Sequence, residues 1–237
     1  MKKLILTTTA LALTVGMALA DTVRLGTEGA YPPYNFINDA GQVDGFEREL
    51  GDELCKRANL TCEWVTNEWD SIIPNLVSGN YDAIIAGMSI TDERKEKIDF
   101  TQPYTLPDPS AYVALSADVD LTNAVIAAQA NTIQASFVAA AGAQLVEFAT
   151  ADEALAAVVN GEADAVLADK ASLVDQVTSN DQLVFLEKEE LIGGGIGMGL
   201  RKSDAELRGQ FDAAIQSMKD DGTLNALITK WEIGATF

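Results

Sequence analysis

Leu76-Val77-Ser78-Gly79-Asn80-Tyr81-Asp82-Ala83-Ile84-Ile85-Ala86-Gly87 is echoed by Val158-Val159-Asn160-Gly161-Glu162-Ala163-Asp164-Ala165-Val166-Leu167-Ala168-Asp169. Each copy reads as the end of an amphipathic helix, a glycine stop, a polar turn and a buried strand. Helix-Gly-strand junctions are frequent in any α/β protein, so the echo alone is compatible with a single sheet. A repeat whose second copy begins at residue 158 and whose first begins at 76, in a chain of 237, fits two similar lobes. That organisation is the expectation.

Outward from the echo, short strands alternate with amphipathic helices, the pattern of α/β units built on parallel sheets. Val23 to Thr27 reads as the first strand, Gly45 to Ala58 as a helix with Phe46, Leu50 and Leu54 on one face, and Trp69 to Val77 as the helix before the first echo strand at Asp82 to Ala86. Asp92 to Ile98 follows as a helix. Ala111 to Leu115 and Val125 to Ala128 then read as strands, Gln134 to Ala141 as a helix, Leu145 to Phe148 as a strand and Ala151 to Val159 as a helix. Asp164 to Ala168 is the second echo strand. Two helices, Ser203 to Asp220 and Thr223 to Trp231, close the chain. Pro103, Pro107 and Pro109 mark one segment where the chain crosses between lobes, and the run Gly193-Gly194-Gly195-Ile196-Gly197-Met198-Gly199 marks the return. The expected division is residues 21–108 for the first part of lobe one, 109–190 for lobe two and 191–237 for the segment returning to lobe one.

The glycine run is not a phosphate loop. No register gives GxGxxG, and no GK[ST] follows. Glycines alternating with Ile196, Met198 and Leu200 suit a buried strand packed closely on a neighbour.

Residues 1–20 carry Lys2 and Lys3, an apolar Thr-rich stretch from Leu4 to Met17, and the small-x-small site Ala18-Leu19-Ala20, the layout of a secretory signal peptide. The competing reading is a membrane anchor, for which the stretch is short. In an oxidising compartment Cys55 and Cys62, the only cysteines, read as a disulfide fastening helix to strand. The CxxC spacing of a redox motif is absent.

Composition removes several chemistries. The chain has no histidine, so His-dependent triads, HExxH zinc sites and His-ligated haem are excluded within it. Its 16 Lys and Arg against 36 Asp and Glu give a formal charge of −20, which repels phosphate backbones and anionic lipid. Small molecules or proteins are the expected partners, with no nucleic acid, metal or cofactor.

In open α/β sheets ligands gather beyond the carboxyl ends of parallel strands. The residues expected there are Glu28, Tyr31 and Tyr34 after the first strand, Gly87, Ser89 and Arg94 after the first echo, Asp169 after the second, and Trp69. Two acids, one base, three aromatics and a hydroxyl suit a zwitterion with a polar or cationic side chain, and they lack a nucleophile with an adjacent base. If Thr91 caps a helix, Arg94 in its first turn opposes the macrodipole, which an anion would compensate. The plainer alternatives are a solvated Arg94 or one paired with Glu93 or Glu96, Asp169 as a helix cap, Glu28 as a loop acid, and the aromatics as core.

Gly26-Thr27-Glu28-Gly29-Ala30-Tyr31-Pro32-Pro33-Tyr34, Val43-Asp44-Gly45-Phe46, Trp69-Asp70-Ser71-Ile72-Ile73-Pro74, Ser89-Ile90-Thr91-Asp92-Glu93-Arg94 and Asp221-Gly222-Thr223 form a colinear set. The set resembles the periplasmic solute-binding proteins of polar amino acid ABC importers, among them the lysine/arginine/ornithine, histidine, glutamine and opine binders. The resemblance implies an α/β two-lobe fold with two hinge crossovers, a periplasmic and monomeric protein, and an amino acid clamped between the lobes for delivery to an inner-membrane permease. Carried over by position, Arg94 holds the ligand α-carboxylate with backbone N–H groups near Ser89 and Thr132, and Asp169 with the Gly87 carbonyl takes the α-ammonium. Tyr31 and Trp69 sandwich the side chain, and Glu28 receives its distal group. A carboxylate beside aromatic faces favours lysine, arginine, ornithine or an arginine-derived opine. Glutamine is the alternative ligand, since glutamine binders of the family also carry an acid there. Enzymes of the same fold, such as cyclohexadienyl dehydratases, are the alternative class. The sequence departs from the family at Gln129-Ala130-Asn131-Thr132, where Ser-Gly-Thr-Thr is usual.

Overall fold

A computed structural model describes residues 22–237; the signal-peptide reading of residues 1–20 lies outside the described residues. Two five-stranded sheets of matching design carry the chain. In the first, the strands run in the order Cys62–Thr66, Val23–Thr27, Ala83–Ile84, Gly199–Leu200, Asp99–Phe100. In the second, the order is Gln144–Phe148, Val125–Gln129, Ala165–Asp169, Ser110–Ala114, Val184–Glu190. The first three strands of each are parallel. The last two run antiparallel to their neighbours, which corrects the expectation of wholly parallel sheets. Ser110–Ala114 and Gly199–Leu200 are each entered directly from the other sheet, with no crossover helix to turn the chain back, so they point the opposite way.

The echoed strand is third in both sheets, and its two copies do the same job atom for atom. Asp82 Oδ2 accepts from the Arg24 N–H at 3.0 Å while Asp82 N–H donates to the Arg24 carbonyl. Asp164 Oδ2 accepts from the Val125 N–H at 2.8 Å while Asp164 N–H donates to the Val125 carbonyl. Each aspartate thus pins the register of its strand on the second strand of its sheet. Gly79 and Gly161, at φ 82° and 77°, make the left-handed turn that ends the preceding helix. Although burial pushes the Asp82 carboxyl up, the Arg24 and Arg201 guanidinium groups hold it down at about 2.

Helices cover both faces of each sheet. On the first, Phe46, Leu50 and Leu54 of the helix Phe46–Arg57 pack with Phe211, Ile215 and Met218 of Ala205–Asp220 and with Leu224 and Ile228 of Thr223–Lys230. The opposite face is closed by Ile72 and Leu76 of Ile72–Val77 beneath Trp69 and Tyr81. On the second sheet, Ala151–Val159 and Lys170–Ser179 cover one face, and Ile133–Ala140 covers the other. The disulfide between Cys55 and Cys62, Cα–Cα 6.3 Å, joins the last turn of a helix to the first residue of an edge strand.

Three features differ from the sequence reading. The first echo strand pairs only over Ala83–Ile84, and the glycine run is strand only at Gly199–Leu200, joined to the sheet earlier by a single bridge from Ile196 to Ser89. Gly195 breaks the pattern, because its φ of 90° and the approach of the Thr105 carbonyl leave no room for a Cβ. The helix Lys170–Ser179, the strand Val184–Glu190 and a small antiparallel sheet of Ala30–Tyr31, Asn35–Ile37 and Val43–Asp44 had no periodic signal strong enough to predict. No described helix is long and apolar enough to cross a membrane.

Candidate functional site

The carboxyl ends of the strands from the two sheets face each other, and a narrow cavity with about 20 Å³ of free space lies between them. The eight residues that the family resemblance assigns to the site line it: Glu28, Tyr31, Trp69, Gly87, Ser89 and Arg94 from the first sheet's side, Thr132 and Asp169 from the second's; Tyr34, also expected at the strand ends, is instead a core residue stacked behind Tyr31. Gly87 and Asp169 are the last residues of the two echoed segments, so each copy delivers its final residue to the same space.

Arg94 sits in the first turn of Asp92–Lys97, where the Thr91 hydroxyl caps the helix by accepting the Arg94 N–H at 3.2 Å. Its guanidinium donates to the Ser89 carbonyl at 2.8 Å and to the Asn131 carbonyl at 3.1 Å, and lies 5.3 Å from the Trp69 ring centre. Among the described residues no carboxylate lies within salt-bridge distance of it. The alternative pairing with Glu93 or Glu96 is therefore not made. Burial draws its pKa down to about 10, with the Asp169 and Glu93 charges pulling back up, so it remains a cation at neutral pH.

Asp169 ends its strand and precedes Lys170–Ser179 without making a side-chain cap hydrogen bond, which removes the helix-cap alternative. Its carboxylate accepts from the Tyr31 hydroxyl at 2.7 Å and from Gln134 Nε2 at 2.9 Å. Burial raises its pKa; Tyr31, Gln134 and the Arg94 charge oppose the rise. The Tyr31 ring stacks on Tyr34 at 5.6 Å between centres, so one of its faces is already covered. The Tyr31 contact to Asp169 adds a hydroxyl role to the aromatic one expected.

Gly87 donates its N–H to Glu47 Oε1 at 2.6 Å. Glu47, fully buried in the helix Phe46–Arg57, also accepts from Asn35 Nδ2 and from the Tyr104 hydroxyl. Thr132 caps Ile133–Ala140, accepting from the Ala135 N–H at 3.1 Å and donating to the Gln129 carbonyl at 2.7 Å.

Four residues at the cavity or its edge were not anticipated as functional: Gln129, Asn131, Gln134 and Ser172. Gln129 Nε2 donates to Glu28 Oε1 at 2.6 Å, and Asn131 Nδ2 donates to Asp70 at 2.9 Å, so with the Arg94 contact to the Asn131 carbonyl this loop bridges the two lobes three times. Gln129 and Asn131 both belong to the stretch that departs from the family pattern. Asn131 has φ 57°, a left-handed conformation that asparagine tolerates, while the glycine of the usual sequence falls one position earlier, at Ala130. Glu28 is pushed up to about 7, chiefly by burial, with the Gln129 amide opposing and the Asp152, Asp70 and Glu47 charges adding to the rise. Among the described residues no group of three potential ligands is placed to hold a metal ion.

Two lobes of like topology, an internal cleft, a guanidinium on one side and a carboxylate on the other define a class: a binder of small zwitterions. The chain belongs to the bacterial extracellular solute-binding proteins, family 3, whose profile matches residues 23–235. It is 34% identical over 252 aligned positions to an L-arginine-binding protein of Pseudomonas aeruginosa, with 98% of this chain and 96% of that one covered. It is similar to a periplasmic His/Glu/Gln/Arg/opine family-binding protein of Silicibacter pomeroyi solved in complex with lysine, at TM-score 0.89 and 68% identity over 91% of this chain and all of that one. An ancestral amino acid-binding protein described as a precursor of cyclohexadienyl dehydratase is also similar, with TM-score 0.78 and 30% identity over 89% of this chain and 95% of that one.

Proposed function

We propose that this protein binds a cationic L-amino acid, such as lysine, arginine, ornithine or an arginine-derived opine, by closure of its two lobes, and delivers it to an ABC importer. The observation that carries the reading is Arg94, a guanidinium without a carboxylate partner, facing the same cavity as Asp169 from the opposite sheet. An α-carboxylate on Arg94 and an α-ammonium on Asp169 satisfy both, and Glu28 receives the distal cation beside the Trp69 and Tyr31 rings. Because the two charges sit on separate lobes, the ligand stabilises the closed arrangement over the open one, which is what moves a hinge. The lysine complex of the 68% identical relative and the arginine binding of the 34% identical one support a cationic ligand.

The lobe division that goes with this function is 21–108, 109–190 and 191–237, with the hinge in the two crossings. Residues 1–20 act as the export signal, the protein works as a monomer in the periplasm, and an inner-membrane permease receives the closed form. The protein is a binder and not an enzyme: the cleft's acid and base face each other as a clamp. The likeness to a dehydratase precursor motivates one control. Calorimetry with lysine, arginine, ornithine, octopine and glutamine tests the reading; micromolar or tighter binding of a cationic member, with glutamine weaker, is expected. Turnover of prephenate, or preference for glutamine, overturns it.

A further inference from the structure

Gln129 is one of the residues that sequence reasoning passed over, and the geometry gives it a task at the distal end of the cavity. It is the last residue of the strand Val125–Gln129, 7% exposed, and reaches across from the second sheet. Its Nε2 donates to Glu28 Oε1 at 2.6 Å and to the Ala149 carbonyl at 3.1 Å. Both partners are acceptors, so the amide is fixed with nitrogen toward them, and both of its N–H bonds are used. In the closed arrangement one of the two Glu28 oxygens therefore already accepts from a protein donor, and a guanidinium fork would have to share that oxygen with Gln129.

This matters differently to the two cationic head groups. A guanidinium is a rigid planar fork that binds a carboxylate best by addressing both oxygens at once. An ammonium is a compact point charge that needs one oxygen and directs its remaining N–H bonds elsewhere. On the reading that the cleft holds a cationic amino acid, we propose that Gln129 is a specificity-determining residue: by taking Glu28 Oε1, it favours an ω-ammonium ligand (lysine, ornithine) over a guanidinium ligand.

The test is the ratio of arginine to lysine dissociation constants, measured by calorimetry on the wild-type protein and on Gln129→Met, which keeps length and loses the donor. Gln129→Ala is measured in parallel, so that the comparison survives if the longer side chain disturbs folding. Removing a lobe-to-lobe hydrogen bond weakens both ligands alike and leaves the ratio unmoved; freeing Glu28 Oε1 improves arginine relative to lysine. The expected result is a wild-type preference for lysine and a fall in the arginine-to-lysine ratio of about fivefold or more, the scale of one hydrogen bond. An unchanged or increased ratio in both variants overturns the role of Gln129. Failure of the wild-type protein to bind either amino acid overturns instead the functional reading beneath it.

Discussion

Acidifying the medium from about pH 8 to about pH 5 should weaken lysine binding about a hundredfold. Glu28, buried at the end of the cavity, is pushed up to about 7 when no cation faces it. A bound ammonium beside it restores the ordinary carboxylate range near 4.5, so binding drives off a proton at any pH between the two values. Affinity then falls about tenfold per pH unit below 7, and at pH 5 about one Glu28 in a hundred is ionised in the empty protein, a difference of about 2.7 kcal/mol. The lysine charges do not titrate in this window, and the chain has no histidine to confuse it. Asp108, pushed up to about 6 mainly by burial, and Asp169 and Glu47, also raised by burial, are other groups near the site able to contribute. Calorimetry of lysine across the range, on the wild type and on Glu28→Gln, separates them: the variant keeps whatever slope those other carboxylates supply and loses the rest. The sign for stability is opposite. A carboxylate whose folded pKa is raised is least costly when protonated, so Glu28's own contribution to the stability of the closed, empty protein is greatest below about 4.5 and falls by about 3 kcal/mol as pH rises through 7. Lysine affinity that is flat with pH, or that has the same slope in Glu28→Gln, would refute the reasoning.

Arg94→Ala should lower lysine and arginine affinity by a hundredfold or more, since a bidentate charge-assisted contact is lost. Its melting temperature should stay close to wild type, because Arg94 joins no ion pair that holds the fold; calorimetry and thermal melts read the two effects. Tyr31→Phe keeps the stacked ring and removes the hydroxyl that holds Asp169, so affinity should drop about tenfold for every amino acid alike. An unchanged affinity would deny the hydroxyl its part. Reducing the disulfide should cost about 2.5 kcal/mol in denaturant unfolding, the chain-entropy value for so short a loop, while lysine affinity is unchanged because neither cysteine lines the cavity.

The two-lobe design could be read from sequence because it is written twice. Asp82 and Asp164 recur since each performs the same register-setting hydrogen bonds, and Gly79 and Gly161 recur since each makes a left-handed turn. Most of the residues that line the cavity could be read because strand ends in open α/β sheets converge. What escaped is long-range and polar. That Gln129 meets Glu28, or that Asn131 meets Asp70, depends on how two sheets face each other across a cleft, and no periodicity carries that information. Antiparallel strands after the crossings escaped for the same reason: strand direction is decided by where the chain comes from and not by what its residues are. Lys170–Ser179 interleaves polar and apolar residues without a clean stripe, so its pattern alone did not announce it.

Glu47 sits at a junction whose mechanical meaning follows from its three donors. Asn35 belongs to the small sheet, Gly87 to the floor of the cleft and Tyr104 to the first crossing, and one buried carboxylate fastens all of them together. The crossing is thereby clamped to the first lobe as far as Tyr104. On the hinge closure proposed above, bending then falls to the few residues between there and Ser110 and to the returning glycines, with the fulcrum close to the second lobe and the first lobe carrying its half of the binding surface as one block.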